Sequence, residues 1–210
     1  MTRAPTPVLL CDLDGVLVDS TAAIDRVYRL WAARHKLDAA LVVATAQGRP
    51  SREVVRVCAP QLDASGESAE IEAAHLADQY GVVAIAGAHA LLSQMPAERL
   101  AIVTSCSPAL AAARLAAGGL PAPRVCVTAD QVARGKPDPE GYLRAAALLG
   151  VVASDCVVLE DAPAGVAAGL AAGMRVVAVL TSHPRGALEG AHAFVADLTG
   201  VPAIAARLVG

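Results

Sequence analysis

Residues 8–20 read VLLCDLDGVLVDS. Val8, Leu9, Leu10 and Cys11 run straight into Asp12 and Asp14. An unbroken apolar run of this kind is what a strand buried on both faces contains. Strands often end in polar residues, so solvation is the plain explanation for the two carboxylates. Like charges this close repel, however. Gly15 directly behind them suggests backbone that bends or is closely approached by another group. The pair is placed to receive a cation, an expectation the rest of the chain can test.

Composition narrows the field. A chain of 210 residues fits one domain, or one domain carrying a smaller insert. Hydrophobic residues make up 55% but aromatics only 2%, so the core is expected to be packed from Ala, Val and Leu. No uninterrupted apolar run approaches the ~20 residues of a membrane-spanning helix, and no membrane partner is expected. The opening MTRAPTPVLLCD breaks its short apolar run at Asp12 and does not read as a secretory leader. A net charge of −3 without a basic stretch or interleaved aromatics argues against a nucleic-acid partner. Cys11, Cys58, Cys106, Cys126 and Cys156 are an odd set without a CxxC pair, which fits a reducing, cytoplasmic setting. Neither they nor the five histidines show zinc-ligand spacing.

Further strands are expected at 100–105, 125–128, 156–160, 176–180 and, more weakly, 193–196. Helical patterns at 108–117, 139–149 and 163–172 separate them, each with proline near its first turn and glycine soon after its end. Such alternation predicts βαβ units and a parallel sheet. It fails between 20 and 95, where the pattern is helical at 20–35, 52–58, 67–80 and 88–94. Residues 81–87 are expected to return the chain to the sheet. The predicted organisation is an α/β core of residues 1–19 and 86–210 with a helical module of residues 20–85 inserted after the first strand.

Open α/β sheets bind ligands outside the carboxyl ends of their strands. Asp12 and Asp14 stand at that edge after the first strand, Thr104 and Ser105 after LAIV, and Glu160 and Asp161 after CVVL. Lys136 follows in the loop beyond VCVTA. Each has a plain reading as a cap or a solvated charge, but four strand ends agree. Carboxylate oxygens suit Mg²⁺, which typically binds one or two protein carboxylates together with substrate phosphate. A lysine and paired hydroxyls supply donors for a tetrahedral anion. The slowest phosphate monoester hydrolyses are accelerated ~10²¹-fold, roughly 28 kcal/mol of barrier. Positioning supplies ~7–11 kcal/mol of that. The remainder requires charge stabilisation and an in-line nucleophile, for which a carboxylate is a known solution. The residues therefore point to Mg²⁺-dependent phosphoryl chemistry.

DLDGVLVDS, VTSCS, GKPDPEGYLRAA and VVLEDAPAGVAAGLAAG together resemble the four motifs of the haloacid dehalogenase superfamily, over nearly the whole chain. The segment GLPAPRVCVTADQVARGKPDPEGYLRAAALLGV is most similar to the sugar and polyol phosphatases of the β-phosphoglucomutase-like branch, hexitol and glycerol-phosphate phosphatases among them. The resemblance implies a Rossmann-like parallel sheet with a small helical cap after the first strand. It implies Asp12 as nucleophile and Asp14 as general acid, then base. Asp12, the backbone carbonyl of Asp14 and Asp161 would hold Mg²⁺, with Glu160 in or near the second shell. Thr104 and Ser105 would hydrogen-bond the phosphoryl group, and Lys136 would neutralise its charge. The implied substrate is a small phosphorylated sugar or polyol, and the implied enzyme a monomer or weak homo-oligomer.

Some positions depart from the family pattern. Cys106 stands where many relatives have a small residue; it is read as packed, with a redox role as the alternative. AQGRPSREVV resembles the substrate-specificity loop, but with Gln47 before Gly48 where His-Gly is common. Arg49 and Arg52 are candidates to reach the substrate, with a solvated helix start as the plain alternative. His183 reads as a surface turn more readily than as part of the rim. A sugar-phosphate mutase shares every core residue and differs in how long the phosphoenzyme survives. A non-catalytic binding module on the same fold is disfavoured because no core position is missing.

Overall fold

The computed structural model describes residues 7–209. The chain runs through β1 (Val8–Cys11), β2 (Val18–Asp19), α1 (Thr21–His35), α2 (Ala39–Ala46), α3 (Ser51–Cys58), α4 (Ala64–Ala77), β3 (Val83–Ala84) and α5 (Ala88–Gln94). It continues through β4 (Leu100–Val103), α6 (Pro108–Ala117), β5 (Val125–Val127), α7 (Glu140–Leu149), β6 (Cys156–Glu160), α8 (Pro163–Ala171), β7 (Arg175–Val179), β8 (Ala193–Val195) and α9 (Val201–Val209). Six strands form one sheet in the order β5-β4-β1-β6-β7-β8, and every pairing in it is parallel. The α/β architecture is the expected one. Strand order reverses beside β1, which lies between β4 and β6. Such a switch point leaves a crevice at the carboxyl ends of the strands, and Asp12 is the next residue after β1.

Alternation along β1 explains its unbroken apolar run. Leu9 and Cys11 enter the core that includes Ala88, Leu115 and Ala205, from α5, α6 and α9. Val8 and Leu10 face the opposite core, with Tyr142 of α7 and Val166 of α8. Helices thus cover both faces, and a strand between them has no wet side.

Helices α1–α4 build a third apolar cluster of their own, with Val27, Trp31, Val54 and Ile71 among its buried residues. Two features of this insert depart from expectation. Helix α2 was not expected; Asp38 nucleates it by accepting hydrogen bonds from Ala40 N at 2.8 Å and Leu41 N at 3.2 Å. Residues 83–84 do not rejoin the main sheet. They pair antiparallel with β2 in a separate ribbon, Val18 opposite Ala84 and Asp19 opposite Val83. The two chain passages into and out of the insert therefore run side by side. Helix α9 is a further element that the sequence reading did not include.

Candidate active site

Asp12 leaves β1 with its N–H donating to Leu159 O at 3.0 Å, which fixes the carboxylate over the ends of β1 and β6. Lys136 Nζ lies 2.8 Å from Asp12 Oδ1, 2.6 Å from Glu160 Oε1 and 3.1 Å from Val103 O. Three N–H groups thus meet three acceptors on three strand ends. The loop delivering Lys136 is closed by Glu140, whose carboxylate accepts from Ala133 N at 2.8 Å and Arg134 N at 3.1 Å. Burial opposes the charge on Lys136, but Asp12 and Glu160 outweigh it and raise its pKa, so it is an ammonium.

Asp12, Glu160 and Asp161 are all buried, with one oxygen of each within 4.8 Å of the others. Glu160 also accepts from the Tyr142 hydroxyl at 2.6 Å and from Asp161 N at 3.2 Å. Burial pushes Asp12 up to about 7, with Lys136 opposing and Glu160 adding to the rise. Asp161 is raised for the same reason, burial first and then Glu160 and Asp12. Three carboxylates share one ammonium, a donor set of hard oxygens whose excess negative charge suits a divalent cation.

Two glycines make room for this cluster. Gly15 has φ +79°, and a Cβ there would lie 1.9 Å from Asp161 Oδ2. At Gly165 a Cβ would lie 1.9 Å from Glu160 Cδ and Oε1. The loop after β7 closes the other side: Thr181 Oγ1 donates to Gly15 O, and the Ser182 hydroxyl hydrogen-bonds the Asp161 carboxylate. His183 departs from expectation. It is not a free surface turn, for its Nδ1 lies 2.9 Å from Asp161 O and the residue lines the cavity.

Asp14 faces a different set of partners. Its Oδ1 accepts from Ser20 Oγ and lies 3.2 Å from Arg114 Nε, and its Oδ2 is 3.0 Å from Cys106 Sγ. Burial, then Asp14, pushes the Cys106 thiol up, so it acts as a donor and not as a thiolate. Thr104 is buried, with Oγ1 accepting from Cys106 N at 3.1 Å. Ser105 turns its hydroxyl to Gly48 O of the insert at 3.4 Å.

A cavity of about 770 Å³ lies between sheet edge and insert, lined by Asp12, Asp14, Thr104, Ser105, Lys136 and Asp161 on one side. Tyr28, Gln47, Gly48, Arg49, Arg52 and Glu72 line the other. Arg49 is exposed on this wall, whereas Arg52 Nη2 is tied to Ser65 Oγ at 2.6 Å within the insert. Tyr142, Ser182 and Arg114 are site neighbours that the sequence reading did not single out. For Arg114 there was a signal: with Leu110, Ala111 and Leu115 it occupies the buried stripe of α6.

Comparison with known proteins fits this geometry. A family model described as haloacid dehalogenase-like hydrolase matches residues 6–173. Hexitol phosphatase A of Escherichia coli is 45% identical over 175 residues, 81% of either chain. Validoxylamine A 7'-phosphate phosphatase of Streptomyces hygroscopicus is 38% identical over 206 residues, covering 92% of this chain and 95% of that one. A hydrolase from Pseudomonas syringae of known structure superposes with a TM-score of 0.86 at 24% identity, over 97% of this chain and 100% of that chain.

Proposed function

This chain belongs to the haloacid dehalogenase-like hydrolase family, and on that premise we propose that it is a Mg²⁺-dependent phosphatase of small sugar or polyol phosphate monoesters. The observation that carries the reading is the Asp12 carboxylate, held by Lys136 at the switch point of the sheet and opening into the cavity beneath the insert. Asp12 attacks phosphorus; the bond to the leaving oxygen breaks, and the phosphoryl group rests on Asp12 as an aspartyl-phosphate. Asp14 gives a proton to the departing alkoxide, then takes one from the water that attacks the same phosphorus. Phosphate leaves and the carboxylate is restored. Thr104 and Ser105 offer donors to the phosphoryl oxygens as charge builds on them, and the Lys136 ammonium neutralises charge on that group and on Asp12. Asp12, Asp161 and the Asp14 carbonyl are the groups to hold Mg²⁺, with Glu160 behind them. Bound there, the ion would offset negative charge on the cluster and on the phosphoryl group.

Residues 20–85 act as the cap over this site, and Arg49 and Arg52 are its candidate contacts to the substrate. The named phosphatase relatives favour hydrolysis over the mutase reading. Five free cysteines fit a cytoplasmic enzyme, and no helix of the described residues is long and apolar enough to cross a membrane. The test is phosphate release from a panel of hexitol, hexose and glycerol phosphates, with p-nitrophenyl phosphate as a generic substrate. Turnover is expected on the polyol and sugar esters, to stop with chelator, to return with Mg²⁺, and to be absent in folded Asp12→Asn. Full activity in excess chelator, or more than a trace in Asp12→Asn, overturns the reading.

A further inference from the structure

We propose that Arg114 is a positioning residue that holds the Asp14 carboxylate and ties its orientation to the seating of the cap. The inference rests on the reading of Asp14 as the proton-transfer group. Arg114 of α6 is fully buried, yet its helix is otherwise made of small and apolar residues. A buried guanidinium without a counter-charge is strongly destabilising, so its partner is the feature to explain. Asp78 acts on Arg114 through space, but both its oxygens are engaged by Arg26 at 2.8 Å. Asp14 is the carboxylate in contact, with Oδ1 3.2 Å from Arg114 Nε. Nε makes no directed hydrogen bond among the described residues. The attraction is therefore Coulombic and tolerates a pivot of the carboxylate.

The other end of the same guanidinium belongs to the insert. Arg114 Nη1 donates to Gln79 Oε1 at 3.0 Å, and Gln79 lies just past the end of α4. A second polar contact joins α4 to the start of α6. Glu72 accepts from Ser107 Oγ, the residue whose hydroxyl caps α6. His75 stands between the two contacts, its ring 5.4 Å from that of Tyr28. Burial, then the Arg114 cation, lowers His75 to about 4, so it adds no competing positive charge near neutrality. One side chain thus touches Asp14 of the core and Gln79 of the cap. Lifting α4 away removes Gln79 from Arg114 and leaves the guanidinium, and the carboxylate it faces, less constrained.

A group that orients the proton donor matters most when the leaving oxygen needs a proton. Alkoxides need one and p-nitrophenolate does not. The test is the single-turnover release of sorbitol from sorbitol 6-phosphate and of p-nitrophenol from p-nitrophenyl phosphate, the step before water attacks, by Arg114→Met, Arg114→Lys, Gln79→Leu and, as reference, Asp14→Asn. General acid catalysis contributes ~10²–10⁴-fold. Arg114→Met is accordingly expected to slow the alkyl ester by roughly 10–100-fold and the aryl ester less than about 3-fold. Arg114→Lys, which keeps the charge, should recover part of that difference, and Gln79→Leu should show a smaller alkyl-selective loss. If Asp14→Asn is selective while Arg114→Met and Gln79→Leu slow both esters equally, the proposal is wrong. If Asp14→Asn itself slows both equally, the reading of Asp14 falls instead. Should Arg114→Met fail to fold, Gln79→Leu decides alone: an alkyl-selective loss supports the coupling, and an equal loss or none overturns it.

Discussion

At the scale of single residues, the site depends as much on missing atoms as on charged ones. Gly15 occupies left-handed backbone at φ +79° and gives up its Cβ position to the Asp161 carboxylate. Gly81 has the same φ, but a Cβ there would meet nothing within 4 Å. The pair separates backbone strain from collision. Gly81→Ala should cost about 1–2 kcal/mol of stability, the price of the left-handed region for a residue with Cβ, and leave turnover intact. Gly15→Ala should add about 1–3 kcal/mol for the overpacked contact and lower kcat at least 100-fold, because Asp161 must move. Denaturant unfolding and kcat on both variants check this; equal kcat in the two would mean that Asp161 tolerates displacement. Sequence alone marked Gly15 as a point of close approach. It did not reveal what approaches, because Asp161 lies far along the chain. The same limit hid Tyr142, whose hydroxyl meets Glu160 only once α7 has docked across β4 and β5.

At the scale of elements, legibility followed the range of the interactions that build each one. β1, β4 and β6 announced themselves as apolar runs because both faces are buried, and α6 and α8 did so through proline at their starts. The N-cap Asp38 is a readable local signal for α2. β2 and β3 had no such signal. Each is two residues long and exists only by pairing with the other across the whole insert. Helix α4 carries a consequence for acid stability. Burial, then Arg114, lowers His75 from 6.5 to about 4. Between those values the unfolded chain binds a proton that the folded chain refuses, so stability falls as pH drops through 6.5 and levels off below about 4. From pH 7 to pH 5 this amounts to about 2 kcal/mol. His75→Gln should lose that much less over the same interval in urea unfolding. An unchanged decline would assign the acid sensitivity to other groups.

At the scale of the whole molecule, the proposed function assigns chemistry and selectivity to different bodies of the chain. On that reading Asp12, Lys136 and Asp161 would face any phosphoryl group alike, and discrimination among esters would fall to the wall formed by α1–α4 and their loops. The ribbon of β2 and β3 puts both ends of that wall side by side, with Asp19 directly opposite Val83. Contacts between α4 and α6 include two polar ones, through Ser107 and Arg114, and α1–α4 gather an apolar cluster of their own. Replacing residues 20–82 by an Asn-Gly turn should therefore leave a core that still folds cooperatively. It should retain slow hydrolysis of p-nitrophenyl phosphate and rank sugar esters almost equally. A deletion that aggregates, or one that keeps the parent's ranking, would show that the two bodies are not separable in this way. A segment whose ends already meet can be exchanged without altering the length or path of anything around it. New substrates would then be reached by recombination, one crossover on each strand of the ribbon, with the inherited chemistry carried over unchanged.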